Sequence, residues 1–173
     1  DAIKMTRTAL SPYIRKASEI ASLYQKDFQK NRLIISTRLN HVNQRLHFSS
    51  DSLMLLHENN ALFLDFTRLS LLQSAIVVNL YQRFLFAPGA EFSNTLFSAT
   101  STIDTFIAFS SLSFGSDMIH KGIVLMYSYL WKRPQIVIGE HLNWDSDSPA
   151  LNWNDYSVVI PDHIVHLLIH HNS

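Results

Sequence analysis

The chain has 173 residues, 47% of them apolar, 12% aromatic and 16% charged, with no cysteine, four glycines, five prolines and a net charge of zero. A chain of this length hides roughly 70% of its unfolded surface in one domain. The composition excludes collagen-like, disulfide-stapled and disordered classes, and with them any metal site that needs thiolates.

The zero total conceals a polarity, because residues 1–46 carry a net charge of +6 and the rest −6. Opposite charge on the two parts draws the chain together or offers a basic face to an acidic partner, and the first is the expectation here. The basic residues are spaced rather than clustered, so no direct nucleic-acid contact is expected. The opening residues show no basic stretch leading into an apolar run, and no signal peptide is expected there.

In chain order, Ser11 and Pro12 read as the cap and first residue of a helix, since proline presets φ and lacks only a donor that would be unpaired anyway. Tyr13, Ala17, Ile20, Tyr24 and Phe28 then form its apolar stripe. Ile35, Leu39, Val42 and Leu46 predict a second helix that ends in the polar cluster 47–52. Residues 60–86 predict the longest helix, with Leu62, Phe66, Leu69, Leu72, Ile76, Leu80 and Phe84 on one stripe and Val77, Tyr81 and Leu85 on another. Such a helix is apolar around most of its circumference and belongs at the centre of a bundle. Within it Asp65 and Arg68 are spaced to pair, and an inward Asn79 needs a hydrogen-bond partner. Its longest uncharged stretch, 69–82, is too short to span a bilayer, which takes about 20 apolar residues.

Ser93 is read as the cap of a helix bearing Leu96, Ala99, Ile103 and Phe106, and Ser116 as the start of another bearing Ile119, Ile123, Met126 and Leu130. After Pro134 the pattern changes to a short β-like run, Gln135 to Ile138, then an acidic loop, then a final short helix opened by Pro161 and Asp162. The sequence thus predicts an all-α fold: one domain over 1–173, a helical bundle around a central apolar helix, with 134–173 as an irregular acidic segment packed on it and ending in a short helix.

Candidate sites follow from residue chemistry. Phe66, Tyr81, Phe84, Phe106 and Met126 are the expected lining of a pocket for an apolar small molecule. Trp144 and Trp153, each in a Leu-Asn-Trp triplet, are candidate partner contacts, because indole rings anchor tails and interfaces. His163, His166 and His170 fall at i, i+3 and i+7, a spacing that sets imidazoles along one helix face and suits zinc, nickel or copper. No nucleophile elbow, glycine-rich phosphate loop or HExxH motif is present, so no catalytic residue and no cofactor is expected.

Three features, the spacing of Leu39, Val42 and Leu46, the ending Tyr81-Gln82-Arg83-Phe84-Leu85, and the serine- and alanine-rich run from Ser98 to Ile103 followed by an apolar segment ending Tyr129-Leu130-Trp131, resemble the middle homology region of fungal binuclear zinc-cluster transcription factors. The proline usual between arginine and phenylalanine in that family is absent here. The resemblance spans about residues 39–131. It implies an all-helical, non-catalytic regulatory domain, nuclear or cytoplasmic, that answers to a metabolite or protein co-regulator and contributes to homodimer contacts. The alternative is an interaction scaffold, such as an effector or the extracytoplasmic sensor of a receptor.

Overall fold

The computed structural model describes residues 2–24, 31–38, 45–87, 90–99, 103–110, 135–141 and 157–170. Within them the chain folds as a seven-stranded mixed sheet with helices on both faces, which corrects the all-α bundle. The strands are β1 (Leu33–Ser36), β2 (Leu46–His47), β3 (Leu62–Leu64), β4 (Arg83–Phe86), β5 (Asp104–Ser110), β6 (Gln135–His141) and β7 (Val158–Val159). Their order across the sheet is β2-β7-β6-β5-β4-β1-β3. The run β3-β1-β4-β5-β6 is parallel throughout, β7 lies antiparallel to β6, and β2 pairs parallel with β7.

Buried parallel strands have apolar residues on both faces and so lack the alternation that marks an exposed strand. Leu33–Ser36 and Arg83–Phe86 are buried at every position. Ile34, Phe84, Phe86, Ile107 and Phe109 belong to a core layer shared with helices α1 (Ala2–Tyr24) and α3 (Leu71–Leu80). Leu33, Ile35, Leu85, Phe106 and Val137 belong to the opposite layer, shared with α2 (Ser50–Glu58) and α4 (Asp162–His170).

The expected central helix over 60–86 is therefore four elements: β3, a 3-10 turn at Phe66–Arg68, α3 and β4. Polar residues make the cuts. Asn60 takes φ 56°, a left-handed conformation that asparagine tolerates better than most residues, and the Asn60 and Ala61 N–H groups close the end of α2 on His57 and Leu56 carbonyls. Asp65 accepts from the Thr67 N–H at 3.0 Å and begins the 3-10 turn. Its expected pairing with Arg68 is present, Nε to Oδ2 at 3.4 Å. Ser70 and Gln73 form a reciprocal capping box that starts α3 afresh. Asn79 has the partners its burial requires: Nδ2 donates to the Ala75 and Phe97 carbonyls, and Oδ1 accepts from the Ala99 N–H, tying α3 to the segment after β4.

Other elements shift likewise. α1 starts nine residues before the expected cap and carries Pro12 inside it, and its buried stripe is Ile14, Ala17 and Ala21, whereas Tyr13 and Tyr24 are exposed. Ile35 and Leu46 lie in strands rather than on a second helix. Ala90–Phe97 is a 3-10 segment and 104–110 is a strand, in place of the helix after Ser93. The β-like run after Pro134 is β6, extended to His141, and the final helix is α4. β7 crosses β6 so closely that a Cβ at Gly139 would overlap the Val158 side chain and the Val159 carbonyl. The helix expected to bear Met126, and the two Leu-Asn-Trp triplets, lie outside the described residues.

At the amino ends of the strands sits Arg83, 93% buried by its 7% exposure. Its guanidinium donates to the Leu168 carbonyl in the last turn of α4 and, at 3.5 Å, to the Asn31 carbonyl. A cation suits that position, because the carbonyl end of a helix is its negative pole. Burial lowers the pKa of the guanidinium from its ordinary value, while the charge of Asp104 opposes that shift.

Candidate functional site

In an open parallel sheet, ligands bind outside the carboxyl ends of the strands, at the point where neighbouring strands send their connections to opposite faces. Here that point lies between β1 and β4. The connection leaving β1 carries Leu46 and Leu56 into the α2–α4 layer on its way to β3. The connection leaving β4 carries Leu96 and Phe97 into the α1–α3 layer on its way to β5. The two connections diverge at this edge of the sheet.

The residues that follow β1 there are Thr37 and Arg38, preceded by Ser36 at the strand's last position. Ser36 and Thr37 are buried and Arg38 is half-buried. The Thr37 N–H donates to the Leu64 carbonyl at 3.0 Å, continuing the pairing with β3 by one residue and fixing the backbone there. Ala87 follows β4 on the other side and is half-buried. Beyond β3, the buried carboxylate of Asp65 also accepts from the Thr67 hydroxyl at 2.5 Å, so its charge is engaged locally. Ser36 and Thr37 carry hydroxyls and Arg38 a guanidinium, and arginine binds phosphate or carboxylate groups with a planar fork of donors. Sequence reasoning passed over these residues because Ser-Thr-Arg is not a motif, and only strand order gives it meaning.

Of the residues expected to line an apolar pocket, Phe66, Tyr81 and Phe84 are buried together in the α1–α3 layer, where Phe66 and Phe84 each pack a ring against Phe86. Burial raises the phenol pKa of Tyr81, opposed by the charge and hydrogen bond of Arg32. Phe106 lies across the sheet, in the other layer. The four thus divide between the two faces of the sheet instead of facing one cavity, and Met126 is outside the described residues.

The three histidines are all on the exposed part of α4. His166 and His170 stack with ring centroids 6.3 Å apart. Among the described residues no group of three or more His, Cys, Asp or Glu side chains is placed to hold a metal ion. Beside them Asp162 accepts hydrogen bonds from Ser49 at 2.5 Å and Ser52 at 2.6 Å, which joins the start of α4 to the start of α2.

These bonds set a pH dependence. The Ser49 and then the Ser52 hydroxyl lower the Asp162 carboxyl pKa from its ordinary value; burial opposes them, and His166 and His163 add to the lowering. The folded state thus binds a proton at Asp162 less readily than the unfolded state. The contribution is present above the ordinary carboxyl pKa and lost as pH falls through the folded value. In urea titrations between pH 7 and pH 3, the gap in midpoint between the native chain and Asp162→Asn is expected to narrow as the pH falls. A gap constant with pH would contradict this role.

Among the described residues no helix is long and apolar enough to cross a membrane. Comparison with known proteins finds no match: no family model fits the sequence, and no curated protein and no solved structure is significantly similar to the chain.

Proposed function

We propose that this chain is a small-molecule-sensing α/β domain that binds its ligand at the carboxyl edge of the sheet, between β1 and β4, and performs no chemistry on it. The observation that carries this reading is the parallel order β3-β1-β4-β5-β6, with the connections from β1 and β4 running over opposite faces. The sensing role expected from the sequence is retained, and its site moves from a phenylalanine-lined pocket in a bundle to the edge of a sheet. Ser36, Thr37 and Arg38 suit an anionic metabolite. With only four glycines in the chain and no glycine-rich loop after β1, side chains rather than a nest of backbone N–H groups take the charged group.

The test is calorimetric titration with a panel of nucleoside mono- and diphosphates and sugar phosphates. At least one is expected to bind, and Arg38→Ala to weaken it tenfold or more, since a charge-assisted hydrogen bond contributes about 1.5–3 kcal/mol and 1.4 kcal/mol is a factor of ten. Full-affinity binding by Arg38→Ala, with resonance shifts confined to residues away from 36–38 and 87, would refute the placement.

A further inference from the structure

Helix α1 is apolar over two sectors, and the fold covers one of them. Ile14, Ala17 and Ala21 face the layer shared with α3. At 3.6 residues per turn, Met5, Ala9, Tyr13, Ile20, Leu23 and Tyr24 fall in a second sector about 100° wide, centred about 100° round the axis from the first. Met5, Tyr13, Leu23 and Tyr24 are 72%, 52%, 76% and 51% exposed. Thr8, Ser11, Arg15, Glu19 and Ser22, all exposed, make up the remaining polar side. Arg7 donates to the Ser98 carbonyl at 3.1 Å, which helps hold the helix on the domain with its second sector outward. Other exposed apolar side chains, Leu53 and Met54 on α2, Leu71 on α3, Ile136 and Ile138 on β6 and Leu167 on α4, come in ones and twos, as on ordinary surfaces. On α1 they run from Met5 to Tyr24, about 28 Å at 1.5 Å per residue.

The occupant this face fits is its own copy. With a two-fold axis crossing the helix between residues 14 and 15, two copies of α1 lie antiparallel, and Tyr13 meets Lys16, Ala9 meets Ile20 and Met5 meets Tyr24. The symmetry makes each pair twice. These pairs set an ammonium on a phenol ring, a small side chain opposite a branched one and a thioether against a ring. Lys16 falls within the exposed apolar sector, so its stem adds apolar cover while its charge reaches the ring. A parallel pair would instead set Lys16 against Lys16 and Ala9 against Ala9, a like-charge contact beside a gap. At roughly 200 Å² for a large side chain, the four exposed ones offer on the order of 500 Å² per copy. Two copies together reach the roughly 1,000 Å² expected of a specific interface. A lipid surface suits the face less well, because interfacial helices are rich in lysine and arginine on their polar side, and here Arg15 is balanced by Glu19.

We infer that the outer face of α1 is a homodimer interface, in which the helix packs antiparallel on its copy about an axis between Ile14 and Arg15. The interface takes nothing from residues 36–38, so ligand binding there neither needs it nor is needed by it.

The measurement is sedimentation equilibrium of the full chain between about 1 and 300 µM. The mass is expected to rise from 19.9 kDa toward twice that value, with a dissociation constant in the micromolar range typical of interfaces near the lower size limit. Tyr13→Glu, and separately Leu23→Lys, should stay monomeric throughout while keeping the circular dichroism of the native chain, since both side chains are exposed. Leu167→Glu, on α4, should dimerise as the native chain does. Because the chain has no cysteine, single cysteines report the register. Under a mild oxidant, copies bearing Met5→Cys mixed with copies bearing Tyr24→Cys should form the mixed disulfide at least fivefold faster than either forms its own. The inference is overturned if the native chain is monomeric at about 300 µM, if either Tyr13→Glu or Leu23→Lys dimerises as tightly as the native chain, or if unlike cysteines cross-link no faster than like ones. It is also overturned if a monomeric native chain binds phosphatidylglycerol vesicles and Tyr13→Glu does not, an outcome that assigns the face to lipid.

Discussion

Replacing Arg83 with alanine is expected to lower stability by about 1.5–3 kcal/mol, the range for hydrogen bonds made by a charged group. At about 2–4 °C per kcal/mol for a chain of this size, the melting temperature should fall by roughly 5–10 °C. The reason is local. The guanidinium donates to the carbonyls of Leu168 and Asn31 and lies beside Asp104, and its removal leaves the carbonyl of the buried Leu168 without that donor. Arg83→Lys should recover part of the loss, because an ammonium keeps the charge but lacks the planar fork that reaches two carbonyls at once. Thermal melts followed by circular dichroism measure both. A loss under 1 kcal/mol for the alanine variant would mean that α4 is not anchored at this point.

The second large effect is expected at Phe84, which is fully buried in β4 and stacked on Phe86 with ring centroids 5.9 Å apart. Phe84→Ala should cost about 3–5 kcal/mol, the transfer energy of the ring plus the cavity it leaves. Urea denaturation with an unchanged slope would show that the loss is in native packing. Because β4 lies between β1 and β5, the damage reaches both neighbours, and amide exchange should quicken in 33–36 and 104–110 as well as in 83–86. Faster exchange confined to 83–86 would contradict a central place for this strand.

What the sequence makes legible depends on where each residue is buried. The last helix and β6 can be read because prolines bound them and their patterns are short. The stretch 60–86 misleads because its strands have only three and four residues, and the wholly buried β4 and the apolar α3 leave no period to distinguish them. Leu62, Phe66, Leu69, Leu72, Ile76, Leu80 and Phe84 do recur at helical spacing, yet β3 and β4 come from that same series. The polar residues among them carry the information instead. Asp65 caps a turn, Ser70 with Gln73 starts α3, and Asn60 ends α2. Read as interruptions of one long helix, they lose their meaning; read as caps, they divide the stretch into a β-α-β unit. The all-helical architecture implied by the resemblance to the zinc-cluster regulatory region is replaced by the sheet among the described residues.

The candidate site is less legible still. Nothing in Ser36-Thr37-Arg38 marks it, since its significance comes from strand pairing across 83–86 and 62–64. The aromatic residues that did draw attention in the sequence are mostly core: Phe66, Tyr81 and Phe84 fill one layer, and Phe106 borders a groove beside α4. Of the histidines, His163 borders that same groove, and His166 with His170 stack on the outer face of α4.

The division of 60–86 into strand, turn, helix and strand can be tested with one substitution, Leu71→Pro. Leu71 is the first residue of α3 and is 53% exposed, and Ser70 before it has the extended backbone, ψ 162°, that precedes proline comfortably. Proline at a helix's first position removes only a donor that has no partner within the helix. The account predicts a melting temperature within about 3 °C of the native chain, a change of under about 1 kcal/mol. In one continuous helix over 60–86 the same proline would fall in the interior and cost about 3 kcal/mol or more. A loss of that size would contradict the sheet and every site placed on it.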